Sequence, residues 1–165
     1  MNFEIVELEE FSGKKATVYA IAEIGESLTL FDKFLDENAG YEEELKDILV
    51  TIDLIGRKKG VADYLIKEKE GSPGDGIIAL YDNPDKNLRV YAIQFGAGIL
   101  ILGGGGFKDK SIQAWQEDPQ LSQEVNRLKE ISRKINQRII DREIQFSDNE
   151  IELEGDLEFY DEQDE

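Results

Sequence analysis

The chain contains no cysteine and no histidine. Without cysteine there is neither a disulfide framework nor a thiolate metal site. Without histidine, the usual general base near neutral pH and the commonest zinc ligand are both missing. Any catalysis must fall to Lys, Arg, Tyr, Asp or Glu. Long hydrophobic runs are absent too: nothing approaches the roughly 18 apolar residues of a membrane helix. The opening residues, MNFEIVELEEF, are acidic and lack the basic-then-apolar pattern of a secretory signal. Together these absences give the expectation of a cytoplasmic protein with no membrane partner, no metal and no cofactor.

Acidic charge is abundant. The 165 residues carry 37 acids against 19 bases, a net charge of −18, with 40% apolar content. Residues 1–50 hold 13 acids and 4 bases, and residues 143–165 hold 11 acids and no base. The centre, 51–142, is close to neutral, with 15 bases and 13 acids. Simple attraction of the whole chain to nucleic acid is disfavoured, because the summed field repels phosphate. The central segment escapes this argument if the acidic ends fold away from it. The apolar content supports one ordinary domain with a core.

Alternating β-branched and aromatic residues predict strands at 3–8 and 16–24. Helical spacing follows over 27–38, with Ser27 or Thr29 as cap. A second helix is predicted from Tyr41, with Leu45, Ile48, Leu49, Ile52 and Ile55 as its stripe. Its acids sit at the start and Arg57, Lys58 and Lys59 at the end, as the helix dipole prefers, and Gly60 is a natural stop. After the loop GSPGDG come three strand candidates, 76–82, 88–95 and 98–104, joined by links of hairpin length. They predict an antiparallel meander whose wholly apolar third strand lies in mid-sheet. A short helix over KSIQAWQEDP and a long one from Pro119 complete the pattern, the latter striped by Leu121, Val125, Leu128, Ile131, Ile135 and Ile139. The expected class is α+β: an antiparallel β-meander sheet packed against two helices from the N-terminal half and a long C-terminal helix. Residues 1–149 are read as a single domain. Residues 150–165 are read as an acidic tail, partly disordered and able to add an edge strand or to shield the central bases in cis.

The stretch ILILGGGGFKDK carries four consecutive glycines, Gly103 to Gly106. A P-loop requires glycine directly before its lysine and Ser or Thr directly after, whereas Phe107 precedes Lys108 and Asp109 follows it. The dinucleotide pattern also fails, since its third glycine would fall on Ile101 or Lys108. The glycines are therefore read as a flexible strand end or a site of close backbone approach. Acidic runs such as Glu42-Glu43-Glu44 lack calcium-loop spacing and are read as solvated faces. The remaining constellation is basic. In a meander the start of the 88–95 strand lies beside the end of the next, which brings Arg89 near Lys108 and Lys110. Such a cluster suits phosphate and the charge that develops on it.

The succession of two helices, a loop, three strands and a short helix, with LRVYAIQFGAGILILGGGGFKDK at its centre, resembles the RelE/ParE superfamily of bacterial toxins, in its HigB or phage Gp49-like branch. Arg89, Val90 and Tyr91 match an arginine-bearing strand. Ile99 to Leu102 match an apolar strand, and Phe107, Lys108 and Lys110 match its basic end, interrupted by Asp109. The resemblance covers residues 41–120. It implies a RelE-like fold, membership of a type II toxin–antitoxin pair, and metal-independent cleavage of mRNA on the ribosome. In that reading Arg89 and Lys108 hold the phosphate as catalytic residues, and Lys110 assists. Arg57, Lys58 and Lys59 contact the RNA backbone, and the protein partner is a helix-turn-helix antitoxin. The chain departs from the family in its strong acidity and in lacking an arginine on the first meander strand, GIIALYD. A non-enzymatic acidic protein on the same fold, binding a regulator or mimicking nucleic acid, is the alternative.

Overall fold

The computed structural model describes residues 1–67, 75–80, 86–108 and 118–161. Seven strands form one mixed sheet: β1 (Phe3–Glu7), β2 (Thr17–Glu23), β3 (Ile66–Lys67), β4 (Ile77–Leu80), β5 (Leu88–Phe95), β6 (Ile99–Phe107) and, from the C-terminal end, β9 (Glu158–Phe159). Their order across the sheet is β3-β4-β5-β6-β2-β1-β9. The β4–β5–β6 segment is the expected antiparallel meander, and β6 occupies the middle of the sheet. The sheet extends beyond the meander because β2 lies parallel to β6, with Thr17 opposite Ile99 and Ala20 opposite Leu102. A small separate hairpin joins β7 (Ile144–Phe146) to β8 (Leu153–Gly155).

Helices cover both faces, making the α+β class a three-layer arrangement. On one face lie α1 (Leu30–Glu37) and α2 (Glu42–Leu54); on the other lie α3 (Pro119–Ile140) and the β7–β8 hairpin. The period-two pattern of β5 explains how one strand serves both layers. Leu88, Val90 and Ala92 enter the core beneath α1 and α2, while Tyr91 and Ile93 enter the core beneath α3. Thr29 starts α1 with a reciprocal cap: its hydroxyl accepts from the Asp32 amide, and the Asp32 carboxylate accepts from the Thr29 amide, each at 3.0 Å. Asp118 caps α3 by accepting from the Leu121 amide at 2.9 Å, ahead of Pro119. α2 widens at its end into a π-helical turn, Ile55–Lys59, which Gly60 stops in a left-handed conformation at φ 68°. The predicted long helix stops at Ile140 rather than running on, since Ile144 is already in β7.

Of the two readings of the glycine run, a flexible strand end and a site of close approach, the structure shows the second. Gly103 to Gly106 lie inside β6, buried, and none has a positive φ. The physical reason is close packing on both sides. Val90 pairs with Gly105 but Ala92 with Leu102, so Tyr91 faces two residues of β6, Gly103 and Gly104. This bulge turns both of them towards α3. A Cβ on Gly103 would sit 2.8 Å from Leu128, one on Gly104 2.7 Å from Glu124, and one on Gly106 2.9 Å from Gln120. Those helix residues recur every fourth position, so one face of α3 rests directly on the glycine strand.

The acidic C-terminal segment is folded onto the domain as far as Asp161. β9 pairs with β1, and Phe159 stacks on Phe3 at 4.5 Å between ring centroids. The Arg138 guanidinium lies 3.7 Å from the Phe159 ring and donates to the carbonyls of Asp156 and Glu158. Lys134 and the terminal amine both reach Asp161, at 3.0 and 2.6 Å. Among the described residues, then, this segment answers the bases of α3. It does not shield Arg89 and Lys108, which lie several strands away across the sheet. No helix among the described residues is long and apolar enough to cross a membrane.

Candidate functional site

The start of β5 and the end of β6 meet as the meander predicts. Leu88 pairs with Phe107 and Arg89 with Gly106. The Lys108 amide donates to the Asn87 carbonyl at 2.6 Å, which holds Lys108 against the entry to β5. Glu44, in the first turn of α2, fixes that entry. Its Oε1 accepts from the amides of Asn87 (2.8 Å) and Leu88 (3.1 Å), and its Oε2 accepts from the Asn87 side-chain amide (3.0 Å). A carboxylate taking three hydrogen bonds is a structural pin, not the solvated face expected of the Glu42–Glu44 run. Nothing in the sequence marks Glu44 apart from its two acidic neighbours. Tyr41, just before α2, sets its ring 5.7 Å from that of Phe107 and closes the same corner.

Arg89 is 4% exposed, and its Nη1 donates to the carbonyls of Lys86 (2.9 Å) and Leu88 (2.7 Å). The guanidinium folds back onto the chain that leads into β5. Lys108 is half-buried beside it, and Lys110 lies outside the described residues.

Arg57, Lys58 and Lys59 stand elsewhere. The turn that carries them leads into Val61, whose amide donates to the Ala97 carbonyl at 2.8 Å in the β5–β6 connection. That is the far end of β5 from Arg89, roughly 20 Å along the strand. Arg57 is engaged: Nε donates to Asp53 at 2.6 Å and Nη2 to the Glu10 carbonyl at 2.5 Å. Lys58 and Lys59 are exposed. Among the described residues, the predicted cations thus form two groups at opposite ends of the sheet.

Comparison with known proteins adds no relative to this geometry: no family model, no curated protein and no solved structure matches the chain. The chemistry is therefore read from the residues themselves. The group at the β5 start can offer positive charge to a phosphate through Lys108, backed by Arg89. The group beyond α2 offers a broader, more exposed cationic surface.

A cleft of about 160 Å³ opens where the parallel strands β2 and β6 separate at their C-terminal ends. Glu23, Lys33, Glu124 and Arg127 line it, with the Gly104–Gly105 backbone as its floor. Burial pushes the Glu124 carboxyl above its ordinary value. Arg127, 3.7 Å away, opposes this, while Glu37 adds to it. Glu124 Oε2 is buried without a hydrogen-bond partner among the described residues. A carboxyl whose folded-state pKa is raised binds protons more readily folded than unfolded. Its contribution therefore weakens the fold as pH rises from the ordinary glutamate range through the raised value. Glu124→Gln should stabilise the protein at neutral pH by about 1 kcal/mol, because the amide removes the buried charge and loses only a loose ion pair. Urea titrations of both proteins across this pH window check it: the wild type should lose stability with rising pH relative to the variant, and parallel curves would refute the assignment.

Proposed function

We propose that this chain is a RelE/HigB-like toxin-fold protein of a bacterial type II toxin–antitoxin pair, acting on RNA at the end of the sheet where β5 begins and β6 ends. The observation that carries the reading is the register that sets Arg89 opposite Gly106, two residues before Lys108. Cleavage of this kind requires a 2′-hydroxyl to attack the adjacent phosphorus while the 5′-oxygen leaves. Negative charge grows on the non-bridging oxygens, and fixed cations there lower the barrier. In this reading Lys108 and Lys110 supply that charge, and Arg89 positions the strand start from which Lys108 is held. The protein partner is a helix-turn-helix antitoxin, and the RNA is ribosome-bound mRNA in the cytoplasm.

A second reading has its own support. Arg89 is buried and donates to two main-chain carbonyls, which suits a structural role. On that reading the protein keeps the fold to bind a regulator and cleaves nothing. Expression in a bacterial host without an antitoxin separates the two. The nuclease reading expects growth arrest that is lost in Lys108→Ala/Lys110→Ala and retained at least in part in Arg89→Lys. Absence of arrest from soluble wild-type protein, or arrest untouched by the double substitution, would favour the binding protein.

A further inference from the structure

The lysines of the other end point to a site that the reading above does not use. Several bases in this acidic chain are matched to carboxylates: Lys33 to Glu26, Arg57 to Asp53, Arg127 to Glu124, Arg133 to Glu130, Lys134 to Asp161 and Arg138 to Glu143 and Asp156. Among the described residues, Lys46 and Arg142 make no such pair, and neither do Lys14, Lys15, Lys58 and Lys59, all four exposed. The fold gathers these four. The Lys15 amide donates to the Gly56 carbonyl at 3.0 Å, so the SGKK turn is tied to the π-helical turn that bears Lys58 and Lys59.

Beside them runs an open groove of about 420 Å³ between the β5–β6 connection and the β7–β8 hairpin. Lys15 and Ala97 line it on the basic side, and Phe95 and Phe146 supply its aromatic wall. The two rings lie 5.7 Å apart at 54°, and Phe146 is 38% exposed. An exposed phenyl beside unpaired lysines costs the isolated protein solubility and self-repulsion. It suits a ligand that brings a planar ring and negative charge together.

We infer that this groove and its lysine rim form a binding site for single-stranded nucleic acid, with a base packed on Phe146 and phosphates on Lys14, Lys15, Lys58 and Lys59. Aromatic platforms flanked by cations bind single strands with little sequence preference. The aromatic wall favours this ligand over an acidic polypeptide, which would need the lysines alone. The chain's net charge does not forbid it. Exposed charges are screened over roughly 8 Å at physiological salt. The acidic β9 edge lies three strands from β6, roughly 14 Å away. Glu150 lines the groove, and Asp148 and Glu152 flank it on the same β7–β8 hairpin, so they are its close opponents. The site shares Lys58 and Lys59 with the RNA-backbone contacts that the toxin resemblance implies, but it lies at the opposite end of the sheet from Arg89 and Lys108 and does not depend on cleavage there.

Fluorescence polarisation of a short labelled single-stranded RNA with the full chain tests it at about 50 mM salt. Binding should weaken with salt along a log–log slope of about −2 to −3, as three or four phosphate contacts require. Lys58→Glu/Lys59→Glu should weaken it at least about tenfold, and Phe146→Ser by about five- to tenfold. Glu150→Gln should strengthen it, and Arg133→Ala, at an exposed position of α3 outside both sites, should leave it unchanged. All these positions are exposed or half-exposed, so circular dichroism should report an intact fold in each variant. Absence of binding overturns the inference, as does binding indifferent to Phe146→Ser or to the lysine reversals. Displacement of the RNA by polyglutamate at equal charge also overturns it, in favour of an acidic protein partner. Loss of binding in Lys108→Ala would move the site to the other end of the sheet.

Discussion

Gly105→Ala should destabilise the protein by more than about 3 kcal/mol, enough to leave much of it unfolded or insoluble on expression. A Cβ built on Gly105 falls 1.8 Å from the Arg89 carbonyl oxygen, 2.8 Å from the Arg89 carbonyl carbon and 2.9 Å from the Val90 Cα. All three are backbone atoms of the neighbouring strand, so no rotamer change relieves the clash. Relief requires β5 and β6 to part at the register that sets Arg89 opposite Gly106. Gly104→Ala is the control. Its Cβ would meet the Glu124 carboxylate at 2.7 Å, the far end of a flexible side chain that can swing away, so the cost should stay near 1 kcal/mol (about that of a small overpacking). Urea unfolding followed by circular dichroism gives both values. Near-equal costs, or a Gly105→Ala protein as stable as wild type, would show that the two strands do not approach so closely. The same experiment bears on the candidate site, because parting the strands would move Lys108 away from the β5 entry.

The glycine run shows what periodicity can and cannot convey. A strand of apolar residues is legible because alternation or its absence maps directly onto burial. Ile99 to Leu102 were expected in mid-sheet, and the structure puts them there, buried on both faces. Four glycines carry no side-chain period, so the expected strand stopped at Gly104, and the pattern gave no sign that β6 continues through Gly105 and Gly106 to Phe107. What continues it is tertiary: α3 and β5 both press on backbone that has no room for a Cβ. The helices were legible for the opposite reason. The α2 stripe puts Ile48, Ile52 and Ile55 in the core, and the α3 stripe buries Leu121, Val125, Leu128, Ile131 and Ile135. Parallel pairing of β2 with β6 could not be read, because no local signal encodes a partner across some 80 residues of chain.

The basic residues divide in the same way. Adjacency of Arg89 and Lys108 follows from hairpin geometry, and the register bears it out. The burial of Arg89 does not follow, because an arginine on a strand reads alike whether its head group meets solvent or its own main chain. The separation of Arg57 to Lys59 from that pair also needed the structure, since only the packing of the turn after α2 on Ala97 fixes which end of the sheet they occupy. Lys14 and Lys15 join them through a hydrogen bond across 41 residues, Lys15 to Gly56.

Truncation after Asn149 should be the most damaging change to the acidic end, costing about 3–5 kcal/mol and producing aggregation. The cut removes β8 and β9, and with them Leu153 and Phe159 from the core beneath α3. Phe3 loses its stacking partner, and the Tyr19 hydroxyl loses the Leu153 amide that donates to it at 2.9 Å. Arg138 loses the carbonyls of Asp156 and Glu158, and β1 becomes an unpaired edge strand open to another chain. A cut after Asp161 spares every one of these contacts and should leave the melting temperature close to that of the full chain. Phe159→Ala, which keeps the acidic charge but deletes the ring, should cost about 3 kcal/mol. Differential scanning calorimetry and light scattering on the three proteins separate packing from charge. If the acidic end acted only through its charge, Phe159→Ala would behave as wild type and the Asn149 cut would stay folded. The expected order, with the cut worst, Phe159→Ala next and the Asp161 cut harmless, makes the segment a structural edge of the sheet. Any change in growth arrest on removing it would then report unfolding, not the uncovering of Arg89 and Lys108.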